Sequence, residues 1–130
     1  METAVAVSLM IMGAGIAGVW TRDILAAEYV DLSHGVFSAR DPDSGTLFWP
    51  HWLAEYATAA ALVAAAIGLL ADAGWARPLA AMASGALLYT STNSLGWALS
   101  RRDRLAYAVP MVAGLVVGVV ACIFLLADLG

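Results

Sequence analysis

The residues with most chemistry to offer are an acid and a polar run set among apolar neighbours. Glu55 stands inside the stretch 52–71, which is otherwise dominated by Ala, Leu, Val and Ile. Tyr89-Thr90-Ser91-Thr92-Asn93-Ser94 stands inside the stretch 79–99, of similar apolar character. Hydrocarbon offers such groups no water, so each needs a partner from the backbone, a neighbouring helix or a wet cavity. A carboxylate is the most expensive of them, which makes Glu55 a functional candidate; the competing reading pairs it at headgroup level with Arg22 or Arg101. Within the run, Ser and Thr can bond back to their own helix, whereas the Asn93 amide needs outside partners. Tyr89, Asn93 and Trp97 recur at i, i+4 and i+8, so they share one helix face and point to one neighbour.

Counted inward from the ends of the apolar stretches, Glu55, Asn93, Thr90, Ser94, Tyr89, Trp97, His51, Arg22 and Tyr107 fall at similar depth. These are the candidates for a polar pocket, with the run 89–94 as its floor. None is assigned a catalytic role. No metal or cofactor is expected: His34 falls in a loop and His51 at a helix start, with no H-E-x-x-H or comparable spacing around them. Cys122 is the single cysteine and reads as a small buried hydrophobe. Nucleophile motifs and a P-loop are absent.

One motif is deceptive. Gly13-Ala14-Gly15-Ile16-Ala17-Gly18 matches the dinucleotide fingerprint G-x-G-x-x-G. No acid stands about 20 residues beyond it and no alternation of strands and helices follows. It reads instead as a small-residue face, Gly13/Ala17 and Ala14/Gly18, for close helix packing. Gly114 and Gly118 give the last apolar stretch a similar face.

The elements that must position these residues follow from composition. The chain has 130 residues, 62% hydrophobic and 12% charged, with a net charge of −4, and its mean hydropathy is +0.84. A soluble domain needs more charge to cover its surface, so the class is an all-α integral membrane protein. Six Arg and no Lys against ten acids exclude a nucleic-acid partner. Four stretches, about 3–25, 52–71, 79–99 and 105–127, are long enough to cross roughly 30 Å of hydrocarbon, giving one four-helix transmembrane domain with a loop over 26–50. The first has no basic stretch before it and no clean cleavage site after it, and is read as a retained helix. It can run on to a stop at Ser33-His34-Gly35.

Within the loop, 36–40 and 46–49 are two β-prone runs around Asp41-Pro42-Asp43-Ser44-Gly45, which predicts a small surface hairpin. Pro50 and Pro78 open the second and third helices, where a missing N–H costs little. Pro110, about two turns into the fourth, is expected to kink it. Short connections make the second and third helices, and the third and fourth, antiparallel neighbours.

One side of the membrane carries Arg77; the other carries Arg22, Arg40, Arg101, Arg102 and Arg104. The positive-inside rule then puts the termini outside and the 101–104 loop in the cytoplasm, as in a multi-pass protein of a bacterial inner membrane. Trp20, Trp49, Trp52 and Trp97 gather on that Arg-rich side. The favoured function is non-enzymatic: an accessory or scaffold subunit of a membrane complex, or a homo-oligomer, whose partners are the lipid bilayer and other subunits or copies of itself. The alternatives are a small transporter or channel with Glu55 and Asn93 lining its path, and an enzyme acting on lipid or quinone.

Overall fold

Apolar stretches of this length fold as helices because a helix satisfies its own backbone groups without water. The computed structural model describes residues 1–27, 30–42 and 44–127, and among these it holds four long helices and no strand. They are α1 (Glu2–Ala26), α2 (Trp49–Leu70), α3 (Ala76–Leu99) and α4 (Ala108–Ala127), with short 3-10 segments at Val36–Ser38 and Arg102–Tyr107. Three spans, Glu2–Ala26, Trp49–Leu70 and Arg102–Ala127, are long and apolar enough to cross a membrane. α3 is as long but less apolar, because it carries the run 89–94.

The core is built from Leu and Ala. Leu9 of α1, Leu62 of α2 and Leu87 of α3 are fully buried, with Ala59, Ala65 and Ala66 between them. Successive helices pack together, while α1 and α4 barely touch, which leaves a seam between them. Glycines set the closest approaches. A Cβ on Gly13 would lie 2.8 Å from the Ala59 carbonyl oxygen and 2.9 Å from Val63 Cγ2, so α1 can sit this close to α2 only without a side chain there. A Cβ on Gly118 would lie 2.8 Å from the Leu88 side chain, and α4 meets α3 in the same way. The α2–α3 turn is tight: Asp72 is left-handed (φ 52°), and Ala73 N–H donates to the Gly68 carbonyl at 2.9 Å.

Three expectations are corrected. α1 does not reach Gly35: it stops at Ala27, whose left-handed φ of 49° turns its N–H onto the Asp23 and Ile24 carbonyls; Glu28 and Tyr29 lie outside the described residues. The hairpin is reduced to one antiparallel bridge, Arg40 to Leu47, held by Asp41 N–H to Thr46 O at 2.8 Å and Phe48 N–H to Ala39 O at 2.9 Å. Two short strands with no third to pair with are marginal, and 36–38 coils into a 3-10 turn instead; Asp43 lies outside the described residues. Pro110 kinks nothing, because the chain reaches it through the 3-10 segment and α4 begins only at Ala108. It stands in the first turn, where no intrahelical donor is lost.

Elsewhere in the loop, the Ser33 backbone N–H reaches Asp31 Oδ1 at 2.8 Å and, with the Ser33 hydroxyl, holds that carboxyl below its usual range.

Candidate ligand-binding site

Glu55 lies on the inner face of α2 and is 2% exposed. It meets neither Arg22 nor Arg101. Its partners are the Thr90 hydroxyl, the Ser94 hydroxyl at 3.2 Å and His51 Nε2 at 3.5 Å. The arrangement follows from helical spacing: Thr90 and Ser94 are one turn apart on α3, and His51 is one turn before Glu55 on α2. All three contacts converge on Oε1, so Oε2 has no hydrogen-bond partner among the described residues.

Beside that carboxyl is a cavity of about 90 Å³, lined by Glu55, Thr90, Ser91 and Ser94 on one wall. The rest is apolar or aromatic: Met12, Gly15, Ile16, Val19 and Trp20 from α1, Leu87 and Trp97 from α3, then Tyr107, Pro110 and Met111 at the head of α4. That is room for several waters or one small head group. Because α1 and α4 supply opposite edges, the cavity sits under the seam between them. Trp20 and Trp97 approach to 6.3 Å between ring centroids, and Trp97 and Tyr107 to 5.7 Å. Arg104 stands 4.4 Å from the Trp97 ring centroid, so that ring already accepts a cation.

The seam is tied at its polar end. Tyr107 Oη lies 3.1 Å from Asp23 Oδ1 and 3.0 Å from Oδ2, and donates across from the head of α4 to the end of α1. Arg22 Nη1 adds a 3.4 Å contact to the same carboxylate.

A separate cleft of about 510 Å³ opens between α3 and the loop, lined by Asp41, Ser44, Thr46, His51, Asn93 and Trp97 among others. The nine candidate residues are therefore divided. Glu55, Thr90, Ser94, Trp97 and Tyr107 line the cavity; His51 and Asn93 line the cleft, where Trp97 also reaches. Tyr89 is 76% exposed on the outer face of α3, and Arg22 points outward beside Asp23.

Sequence reasoning included Ser91 only as part of the run 89–94, and did not select Trp20 or Gly15 as site residues. No sequence pattern singles out Gly15; in the structure a Cβ there would meet nothing within 4 Å, and the residue lines the cavity. Among the described residues no group of His, Cys, Asp and Glu is placed to hold a metal ion.

No curated protein and no solved structure matches the chain. Over residues 1–129 it belongs to the family described as Domain of unknown function (DUF8058).

Proposed function

We propose, starting from a family whose description states no activity, that the protein is a four-span membrane protein binding a cationic amphiphile at Glu55. One observation carries this reading: a buried carboxylate keeps one oxygen without a partner beside an apolar cavity. Leaving such an oxygen unpaired is costly, and an ammonium group neutralises it. Trp20 and Tyr107 supply aromatic walls that favour such a cation, the Trp97 ring being taken by Arg104. The apolar tail has a track as well. Toward the chain termini the seam continues as a groove of about 270 Å³ between Met1, Ala4, Val5 and Ser8 of α1 and Val116, Val117, Val120 and Ala121 of α4.

In this reading α3 is the fourth span. It packs between two apolar helices, and its Thr90 and Ser94 hydroxyls are engaged by Glu55 while Thr92 bonds back to the Leu88 carbonyl at 2.8 Å. The Arg-rich end, with the 101–104 loop, faces the cytoplasm, and the termini lie opposite. The ligand enters sideways from the bilayer.

The test is binding to the protein in nanodiscs, with dodecyltrimethylammonium, dodecanol and dodecyl sulfate as probes. The quaternary amine binds best, and Glu55→Gln weakens it by about a hundredfold. Equal binding of all three, or indifference to the substitution, sinks the reading.

A second reading, a subunit of a larger membrane complex or a homo-oligomer, is favoured by the outer face of α3. There the exposed Asn93 amide has no hydrogen-bond partner among the described residues. Extraction in mild detergent decides it: a stoichiometric partner or a defined oligomer that Asn93→Leu dissolves supports this reading, and a monomer removes it.

A further inference from the structure

Ser91 is the one buried hydroxyl of the polar run that the chain leaves unused. Thr90 and Ser94 contact the Glu55 carboxyl, and Thr92 bonds back to the Leu88 carbonyl at 2.8 Å, as Thr58 does to the Ala54 carbonyl at 2.9 Å. Ser91 is 2% exposed and has no hydrogen-bond partner among the described residues. Withdrawing a hydroxyl from water without a partner is costly. Burial alone does not make a site: Ser84, two turns earlier on the same helix, also lacks a partner but is sealed at 0% exposure. Ser91 differs because it lines the cavity beside Glu55.

The neighbouring helix makes the place for this hydroxyl. A Cβ on Gly114 would collide with Ser91 Oγ, so α4 accommodates the oxygen by carrying no side chain there. Successive helical residues are turned by about 100° from one another, so Thr90 meets Glu55 of α2 while Ser91 is turned toward α4. The polar wall of the cavity therefore carries two oxygens with no partner among the described residues: Glu55 Oε2 on the α2 side and Ser91 Oγ on the α4 side.

Two acceptors on one wall select the number of N–H groups on a ligand as well as its charge. Resting on the ligand reading above, we propose that the cavity takes ammonium head groups with at least two N–H donors, those of primary and secondary amines, and that Ser91 is the residue that selects them. One N–H donates to Glu55 Oε2 and a second to Ser91 Oγ. A tertiary ammonium has a single N–H, which the carboxylate claims because charge-assisted bonds are the stronger. A quaternary ammonium neutralises the charge but sets methyl groups against both oxygens and leaves them unpaired. The rings of Trp20 and Tyr107 attract every one of these cations, so the N–H count decides among them.

The experiment measures binding in nanodiscs at neutral pH, expressed per probe in the bilayer, for dodecylammonium, dodecylmethylammonium, dodecyldimethylammonium and dodecyltrimethylammonium, all cations under that condition. Wild type binds the first two roughly tenfold or more tighter than the last. Ser91→Ala weakens the first two by roughly tenfold and leaves the last two unchanged. That substitution breaks no hydrogen bond among the described residues and introduces the best helix former, so the fold is kept. Ser84→Ala, which removes the sealed hydroxyl, alters none of the four affinities. A series led by the quaternary amine, equal binding of all four, or a Ser91→Ala loss shared by all four overturns selection by Ser91 and leaves the ligand reading standing. Failure of all four to bind, or binding that Glu55→Gln does not weaken, sinks the ligand reading and this inference with it.

Discussion

Asp23 on α1 and Glu55 on α2 are both acids withdrawn from solvent near the Arg-rich end of the bundle, 5% and 2% exposed. Their surroundings differ in one respect. Asp23 has Tyr107 on both oxygens and Arg22 alongside, so its charge is spent joining two helices. Glu55 has every contact on one oxygen and a cavity beside it. A buried carboxylate satisfied on both sides is a fastener; one satisfied on a single side still has bonding capacity to offer.

Substitutions can break this contrast. The largest effect is expected at Glu55, where Gln removes about 2.7 kcal/mol of cationic-ligand binding, the equivalent of a hundredfold. Thermal denaturation of that variant in detergent occurs at or above the wild-type temperature, because an amide oxygen still accepts from Thr90 and Ser94 and no charge is buried. Asp23→Ala reverses the pattern: it lowers stability by about 3 kcal/mol by removing the charge-assisted hydrogen bond from Tyr107 and freeing the ends of α1 and α4. A Glu55→Gln protein that melts as early as Asp23→Ala would erase the distinction. Tyr107→Phe keeps the aromatic wall and loses only the fastener, so about 1–2 kcal/mol of stability is lost while ligand affinity falls less than in Glu55→Gln. The smallest effect belongs to the outer face of α3: Tyr89→Phe changes stability by less than about 0.5 kcal/mol and leaves probe binding unaltered.

The same pair of acids marks how far the sequence could be read. Helix number follows from four apolar stretches, and Glu55 stands out because a charge inside such a stretch is costly. The orientation of the polar run was harder to see. Spacing groups Tyr89, Asn93 and Trp97 on one face but does not say whether that face turns in. Asn93, the most demanding hydrogen-bonder, turns out to the cleft, while Thr90 and Ser94 turn in and donate to Glu55. The small-residue faces were legible as packing surfaces, yet Gly13, Gly114 and Gly118 serve α1–α2 and α3–α4 contacts inside the chain. Tyr107 and Asp23 are 84 residues apart, and no local pattern announces their meeting.

The tight turn at Asp72 bears on how the cavity can breathe. It fixes the ends of α2 and α3, the two helices that carry Glu55, Thr90 and Ser94. α1 and α4 meet each other far less, and the Tyr107 hydroxyl on Asp23 joins their ends. The chamber's weak side is therefore the α1–α4 seam, where the helices meet least, rather than the wall that carries the recognising groups.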